Sequence, residues 1–297
     1  MKITDKTFFK SSFPFDFDYV NSVTKYPSIP TYHEMDGGRI QNRLSVSLPP
    51  GEEYLYPTEK IDGTNARIIL FGDKLFIGSR EELLFASGDC LYSNSLGIAD
   101  TLGDFASRIF ANSNMIFEYM NSIFDQELRC VVFYGEVYGG KIGKNAKQYS
   151  ENGNDNPNTS FRLFDTSVLS VESSMNLYSK NMSDISIWRE NGGQIFVSKD
   201  KQENSKFQSI IHLIQFCRVP MLPSLKSSEM PATIEDTYSW LKKNSTNTRA
   251  SICQDFHGDA LSVGKSEGIV LRNADRSFIV KIRHEDYEKA LNIRHKN

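Results

Sequence analysis

Thr58-Glu59-Lys60-Ile61-Asp62-Gly63-Thr64-Asn65 places a lysine just ahead of an Asp-Gly pair. Without its surroundings, the stretch is a strand end running into a turn, with Lys60 as an exposed charge. The alternative is a lysine that works by covalent catalysis. An amine loses its proton readily when cations crowd it or water is excluded, and the neutral form is nucleophilic. Gly63 would permit close backbone approach to a ligand. Immediately downstream, Ala66 to Phe71, Gly72-Asp73 and Lys74 to Ile77 predict a hairpin with a two-residue turn. Three later features again set charge into or beside apolar runs, two of them with a glycine. In Phe133-Tyr-Gly135-Glu136-Val-Tyr-Gly-Gly140 a carboxylate follows a glycine, which packs nothing inside a strand and so weakens it or admits a ligand. Ser266-Glu267-Gly268-Ile-Val-Leu271 repeats the pattern. Phe278-Ile-Val-Lys281-Ile-Arg283 sets two cations on one face of a strand. Each has an ordinary surface reading when taken alone; together, in this order, they argue for a site.

The composition is that of an ordinary globular protein, 39% hydrophobic and 24% charged. No apolar run reaches membrane-spanning length, and no membrane association is expected. Met1 to Phe15 scatters Lys2, Asp5, Lys6 and Lys10 through a stretch with no continuous apolar run, which is not a signal peptide. Cys90, Cys130, Cys217 and Cys253 are widely spaced and form no C-x-x-C pair. A disulfide scaffold or zinc site is not expected, and a reducing cytoplasm is the default. The net charge of −3 counts against a non-specific nucleic-acid binder but not against an enzyme with a local basic patch. Two candidate patches are Lys141, Lys144 and Lys147, and Lys281, Arg283, Arg294 and Lys296. A solvated face is the ordinary reading of either.

Residues 1–50 read as an irregular N-terminal extension packed on a catalytic domain at 51–297, punctuated by Pro14, Pro27, Pro30, Pro49 and Pro50. Ile98 to Ile123 reads as helical, while Cys130 to Val137 and Phe161 to Leu169 read as strands. Glu203 to Phe216 has Phe207, Ile210, Ile211 and Ile214 at helical spacing. Another helix is predicted to start at Thr233, where Thr-Ile-Glu-Asp236 forms a capping box. Strand character returns at Gly268 to Leu271 and Phe278 to Ile282. Strands around a helical insertion at about 167–262 predict an α+β domain.

The ordered set Lys-x-Asp-Gly, a strand arginine, Gly-Glu, Phe-Asp, Glu-Gly and a basic pair resembles the covalent nucleotidyltransferases, which include ATP-dependent DNA ligases, RNA ligases and mRNA capping enzymes. The likeness runs from about Tyr54 to Arg283 and is strongest to the nick-sealing phage RNA ligases and the trypanosome RNA-editing ligases. Asn65 is typical of that branch, where DNA ligases and capping enzymes usually carry arginine. Lys25-Tyr-Pro-Ser-Ile-Pro30 looks like a family-type entry segment. The fold implied is an antiparallel-sheet adenylyltransferase domain. The activity implied joins RNA 3′-hydroxyl and 5′-phosphate ends through enzyme–lysyl-AMP and adenylylated RNA. ATP is the AMP donor and Mg²⁺ or Mn²⁺ the metal; nothing resembles the upstream domain of NAD⁺-dependent ligases.

By that resemblance Lys60 attacks the α-phosphorus of ATP, Glu59 lies beside the adenine, and Ile61 borders the nucleotide. Arg80, in Gly78-Ser-Arg80-Glu, takes the place of the arginine that binds phosphate and sugar, and Asn65 orders the reacting phosphates and metal. Glu136 contacts ribose and a metal water, Phe164 stacks on adenine, and Glu267 binds metal. Lys281 and Arg283 hold the α-phosphate, although the family usually has a second lysine where this chain has Arg283. DNA ligases and capping enzymes also carry a C-terminal OB-fold domain after the basic pair. The residues after Arg283 are too few for one, so the expectation is a chain without it, with a partner protein as a candidate replacement. The alternatives are an ATP-dependent DNA ligase and a non-catalytic nucleotide- or RNA-binding module of the same fold.

Overall fold

The computed structural model describes residues 16–87, 91–140, 142, 146–149, 159–250 and 264–293. In chain order the elements are α1 (Phe17–Thr24), β1 (His33–Asp36), β2 (Arg39–Leu44), β3 (Tyr54–Lys60), β4 (Thr64–Phe71), β5 (Lys74–Ser79), β6 (Leu83–Ala86) and β7 (Leu91–Tyr92). Then follow α2 (Ile98–Ala111), α3 (Ser113–Phe124), β8 (Leu128–Gly139), β9 (Thr159–Ser170), α4 (Val171–Tyr178), α5 (Met182–Glu190), β10 (Ile195–Phe196), α6 (Lys199–Glu203) and α7 (Ser205–Ile214). The last are β11 (Leu225–Lys226), α8 (Ile234–Asn244), β12 (Gly268–Arg272), β13 (Ile279–Arg283) and α9 (His284–Ala290). They belong to two compact units. The first draws on the chain up to Ser28, Gly63–Val137 and Thr159–Arg218; the second on Ile29–Asp62, Tyr138–Asn158 and the chain from Val219 on.

The first unit is built on a seven-stranded sheet in the order β10-β9-β8-β4-β5-β6-β7. Its β4–β5 hairpin is the one predicted: Phe71 pairs with Lys74 across Gly72-Asp73, and Gly72 takes the left-handed conformation the tight turn needs (φ +59°). Ile69, Phe71, Phe76, Cys130, Val132 and Tyr134 form a buried cluster with Phe17, Tyr19, Val20 and Val23 of α1. Each such side chain contributes roughly 1.5–3 kcal/mol by leaving water. A second aromatic group, Phe133, Phe161 and Phe105, packs around Phe216. The long helix expected over Ile98 to Ile123 is two, broken at Asn112. In α7 the apolar stripe Phe207, Ile210, Ile211 and Ile214 is buried as its spacing predicts.

The second unit holds a four-stranded antiparallel sheet, β11-β3-β12-β13. Burial alternates along β3 and β13, so Leu55, Val280 and Ile282 enter a core with Ile269, Leu271, Tyr32, Leu241 and Tyr287. Thr58, Lys60, Lys281 and Arg283 are only half-buried. Helix α8 starts where its capping box predicts, with Thr233 Oγ1 accepting from the Asp236 amide at 3.1 Å. The segment at about 167–262 contributes α4 to α7 to the first unit and α8 to the second, with β10 and β11 as short strands among them.

Two expectations need correction. The stretch at 1–50 is not irregular throughout, because among its described residues it forms α1 and the β1–β2 hairpin. Asp16 caps α1, its carboxylate accepting from the amides of Asp18 at 2.9 Å and Tyr19 at 3.2 Å. Gly37 and Gly38, both at positive φ, turn the hairpin, and Asp36 pairs with Arg39. Cys217 is disulfide-bonded, which wide sequence spacing argued against; spacing along the chain does not fix spacing in the fold. Cys130 is free and fully buried, and that burial pushes its thiol pKa up. Among the described residues no helix is long and apolar enough to cross a membrane.

Candidate active site

Lys60 is the last residue of β3, and the sheet register fixes its neighbours. It pairs with Gly268 of β12, which in turn pairs with Arg283 of β13. One row along, Thr58 pairs with Val270, and Val270 with Lys281. Directly paired residues project to one face, so Lys60, Arg283 and Lys281 share it. Gly268 stands between Lys60 and Arg283 because nothing larger fits. A Cβ there would lie 2.0 Å from the Ile282 carbonyl oxygen, and its φ is +155°. Glu267, just before it, accepts from Lys60 Nζ at 2.6 Å, with both side chains about one-quarter exposed (26% and 24%). Such a partly solvated pair adds only about 1 kcal/mol to stability. An ammonium nitrogen that donates to a carboxylate in this way has no lone pair to offer, so any nucleophilic use of it requires the pair to part. Arg283 is gripped by Asp286, Nε and Nη2 donating to its two oxygens at 2.8 and 2.7 Å.

Glu59 lies on the opposite face of β3. It is 3% exposed and accepts from the Arg249 amide at 2.8 Å and from the Thr248 hydroxyl. That network ties the end of β3 to the chain beyond α8. Ile61 is buried. The Asp62 amide donates to the Tyr149 hydroxyl at 2.6 Å, and Tyr149, buried edge-on against Tyr138, so shapes the turn that follows Lys60. Nothing in the spacing around Tyr149 announced this role.

In the first unit Asn65 and Glu136 are direct partners in the β4–β8 ladder, so these two candidates project side by side. Asn65 Oδ1 is buried and has no hydrogen-bond partner among the described residues. A buried acceptor without a donor costs about 1–3 kcal/mol, which an incoming donor would recover. Two positions along β4, Arg67 pairs with Gly78 and Tyr134 and is fully buried. Its guanidinium donates to the carbonyls of Ser79 at 2.8 Å and Arg80 at 3.2 Å and to Asn21 Oδ1 at 2.5 Å. Burial pulls its pKa down to about 10. Arg67 thus holds the backbone that carries Arg80. Arg80 itself is 70% exposed, with Nε 3.5 Å from Glu81. Phe164 is half-buried, edge-on to Tyr26 at 5.1 Å, and the Tyr26 hydroxyl donates to Asp165 at 2.9 Å.

Two glycines singled out as ligand-admitting answer to packing. Gly135 faces the Phe161 ring, 2.3 Å from where a Cβ would stand, and Gly268 faces backbone. Lys141 and Lys144, the side chain of Lys147, and Arg294 and Lys296 of the candidate basic patches lie outside the described residues, as do Cys90 and Cys253. Among the described residues no three His, Cys, Asp or Glu side chains cluster as a metal cage. Magnesium on a nucleotide needs only one or two carboxylates, with phosphate oxygens and water completing its shell. Glu267 offers one such carboxylate.

A family model described as RNA ligase matches residues 53–283. Among solved structures, a mutant of Naegleria gruberi RNA ligase with ATP and Mn aligns at 12% identity and a TM-score of 0.46, covering 88% of this chain and 61% of that one. A mutant with AMP and Mn aligns at 13% identity and 0.47, covering 91% and 65%. The same ligase with PPi aligns at 12% and 0.45, covering 90% and 62%. The chain therefore spans less than two-thirds of the length of these structures. No curated protein matches it. The family match takes in β3 with Lys60, the Asn65–Glu136 pair, Glu267, and β13 as far as Arg283; the chain belongs to the RNA ligase family.

Proposed function

We propose that this chain is an ATP-dependent RNA ligase whose nucleophile is Lys60. The observation that carries the reading is the row Lys60–Gly268–Arg283, with Glu267 on Lys60. A nucleophilic amine, a carboxylate able to take a divalent cation, and fixed cations on one open face are what phosphoryl transfer needs, since it runs on positioning and charge neutralisation. In the first step the lone pair of Lys60 Nζ forms a bond to the α-phosphorus of ATP. The bond to the pyrophosphate oxygen breaks, and a proton leaves the nitrogen for solvent. In the second step an oxygen of an RNA 5′-phosphate attacks that phosphorus and breaks the P–N bond, and the departing nitrogen takes up a proton from solvent, which restores the lysine. In the third a 3′-hydroxyl attacks the activated 5′-phosphate, loses its proton, and AMP departs.

Glu267 would hold Mg²⁺ or Mn²⁺, and a bound cation supplies neutralisation of phosphate charge. Glu267 thereby gains a second role, as the acceptor that must release Lys60 before attack. Lys281 and Arg283 are assigned to the α-phosphate. The assignments of Asn65 and Glu136 to ribose, phosphate and metal water, Phe164 to adenine stacking, and Arg80, Glu59 and Ile61 to the nucleotide remain part of this proposal. The orphaned Oδ1 of Asn65 supports its share of it.

The test uses α-labelled ATP with magnesium, followed by denaturing electrophoresis and then nicked duplexes. Label on the protein, and sealing that requires a ribonucleotide at the 3′-hydroxyl side, is the expected result, since the 2′-hydroxyl is what distinguishes RNA from DNA. Equal sealing of an all-DNA nick would favour a DNA ligase, and absence of label would favour a non-catalytic module.

A further inference from the structure

We propose that Asp286 is the positioning residue for Arg283, holding its guanidinium by one edge so that the other edge is offered to the α-phosphate of the nucleotide. The inference rests on the ligase reading above and deepens it. Arg283 Nε and Nη2 donate to Asp286 Oδ2 and Oδ1 at 2.8 and 2.7 Å, a two-bond fork that fixes the plane of the group. A guanidinium carries five N–H donors, so this fork leaves the Nη1 donors and the second Nη2 donor along the adjacent edge. No described residue accepts from Nη1. Asp286 is itself well held: it is 5% exposed and sits in the first turn of α9, beside Tyr287, which is buried in the core under the sheet.

The register gives that held edge something to do. Arg283 and Lys60 lie two strands apart in one row, about 10 Å between backbones, and Gly268 between them carries no side chain. Both side chains project from the same face of the sheet, so they can reach one phosphate from opposite sides. The same geometry accounts for arginine at a position where the resemblance predicts lysine. An ammonium is a compact point charge with no second edge, so beside Asp286 it would be drawn to the carboxylate and lost to the phosphate. Arginine can be anchored and offer donors at once.

The experiment measures enzyme–AMP formation at a series of ATP concentrations, with thermal unfolding as a check on folding. The variants are Asp286→Asn, Asp286→Glu, Arg283→Ala, Arg283→Ala with Asp286→Asn, and Arg283→Lys with and without Asp286→Asn. Misaiming a charge-stabilising donor should lower kcat about tenfold in Asp286→Asn and by a smaller factor in Asp286→Glu. Once Arg283 is alanine, removing Asp286 should cost nothing further, and in the lysine background Asp286→Asn should raise the rate. Wild-type kcat in Asp286→Asn and Asp286→Glu, or losses that multiply in the double variant, would overturn the positioning role while leaving the ligase reading intact. A wild-type chain that forms no enzyme–AMP would overturn both.

Discussion

Gly268 concentrates at one residue what the site requires of the backbone. Its α-carbon faces the Ile282 carbonyl, a position from which backbone cannot retreat without parting β12 from β13. Gly268→Ala should therefore destabilise the protein by about 2–4 kcal/mol, read as a lower urea midpoint, and abolish enzyme–AMP formation even where the protein remains folded. Unchanged stability would mean that the ladder has slack here. The sequence singled out this glycine and Gly135, but for ligand approach. The actual reasons, a carbonyl across the ladder and the Phe161 ring, come from chain segments far away in sequence. Lys60 and Glu267 were singled out by the Lys-x-Asp-Gly and Glu-Gly features in their order along the chain, and the structure pairs the two. Asp286, Tyr149 and Arg67 were not singled out. Tyr149 and Arg67 work on a backbone amide and on carbonyls that only the fold brings near. Asp286 is three residues from Arg283 and goes unnoticed because an acidic residue in the first turn of a helix is ordinary.

At the level of elements, local rules that name their own partners succeeded. The Gly72-Asp73 hairpin and the Thr233 cap are both closed by residues a few positions apart. The N-terminal stretch was missed because its prolines outweighed the Asp16 cap and the Gly37-Gly38 turn. His33 in β1 and His284 at the start of α9 give the second unit a pH dependence. The Ala232 carbonyl, 3.0 Å from His33 Nε2, can only accept, so Nε2 carries the proton and Nδ1 accepts from the Tyr287 hydroxyl at 2.7 Å. Burial lowers the pKa of His33 and also of His284, despite the Ala232 and Ser245 carbonyls that pull the other way. Below the unfolded value of 6.5 the unfolded chain therefore binds more protons than the native one. Stability is fully present above that pH and falls as pH drops through it toward the lowered native values. Melting temperature should decline on acidification from about pH 7 to pH 5, before most carboxylates titrate. His33→Asn combined with His284→Gln should flatten that slope. A slope unchanged in the double variant would assign the loss to other groups.

For the whole molecule, the proposed activity depends on one covalent bond, between Lys60 Nζ and the α-phosphorus of ATP. Six of the residues drawn into it, Glu59, Lys60, Ile61, Glu267, Lys281 and Arg283, lie in the second unit, and Asn65, Arg80, Glu136 and Phe164 lie in the first. This division was not legible from motif order, because the chain passes between units at Asp62–Gly63, inside the motif itself. The motif order did carry the family, since it is read along the chain and does not depend on where the units part. The most direct measurement is mass spectrometry of the intact protein after incubation with ATP and magnesium, followed by peptide mapping. The predicted result is a single added AMP on Lys60, absent in Lys60→Ala, with that variant still able to seal RNA supplied already adenylylated at its 5′ end. AMP retained by Lys60→Ala, or mapped to another side chain in the wild type, would contradict it.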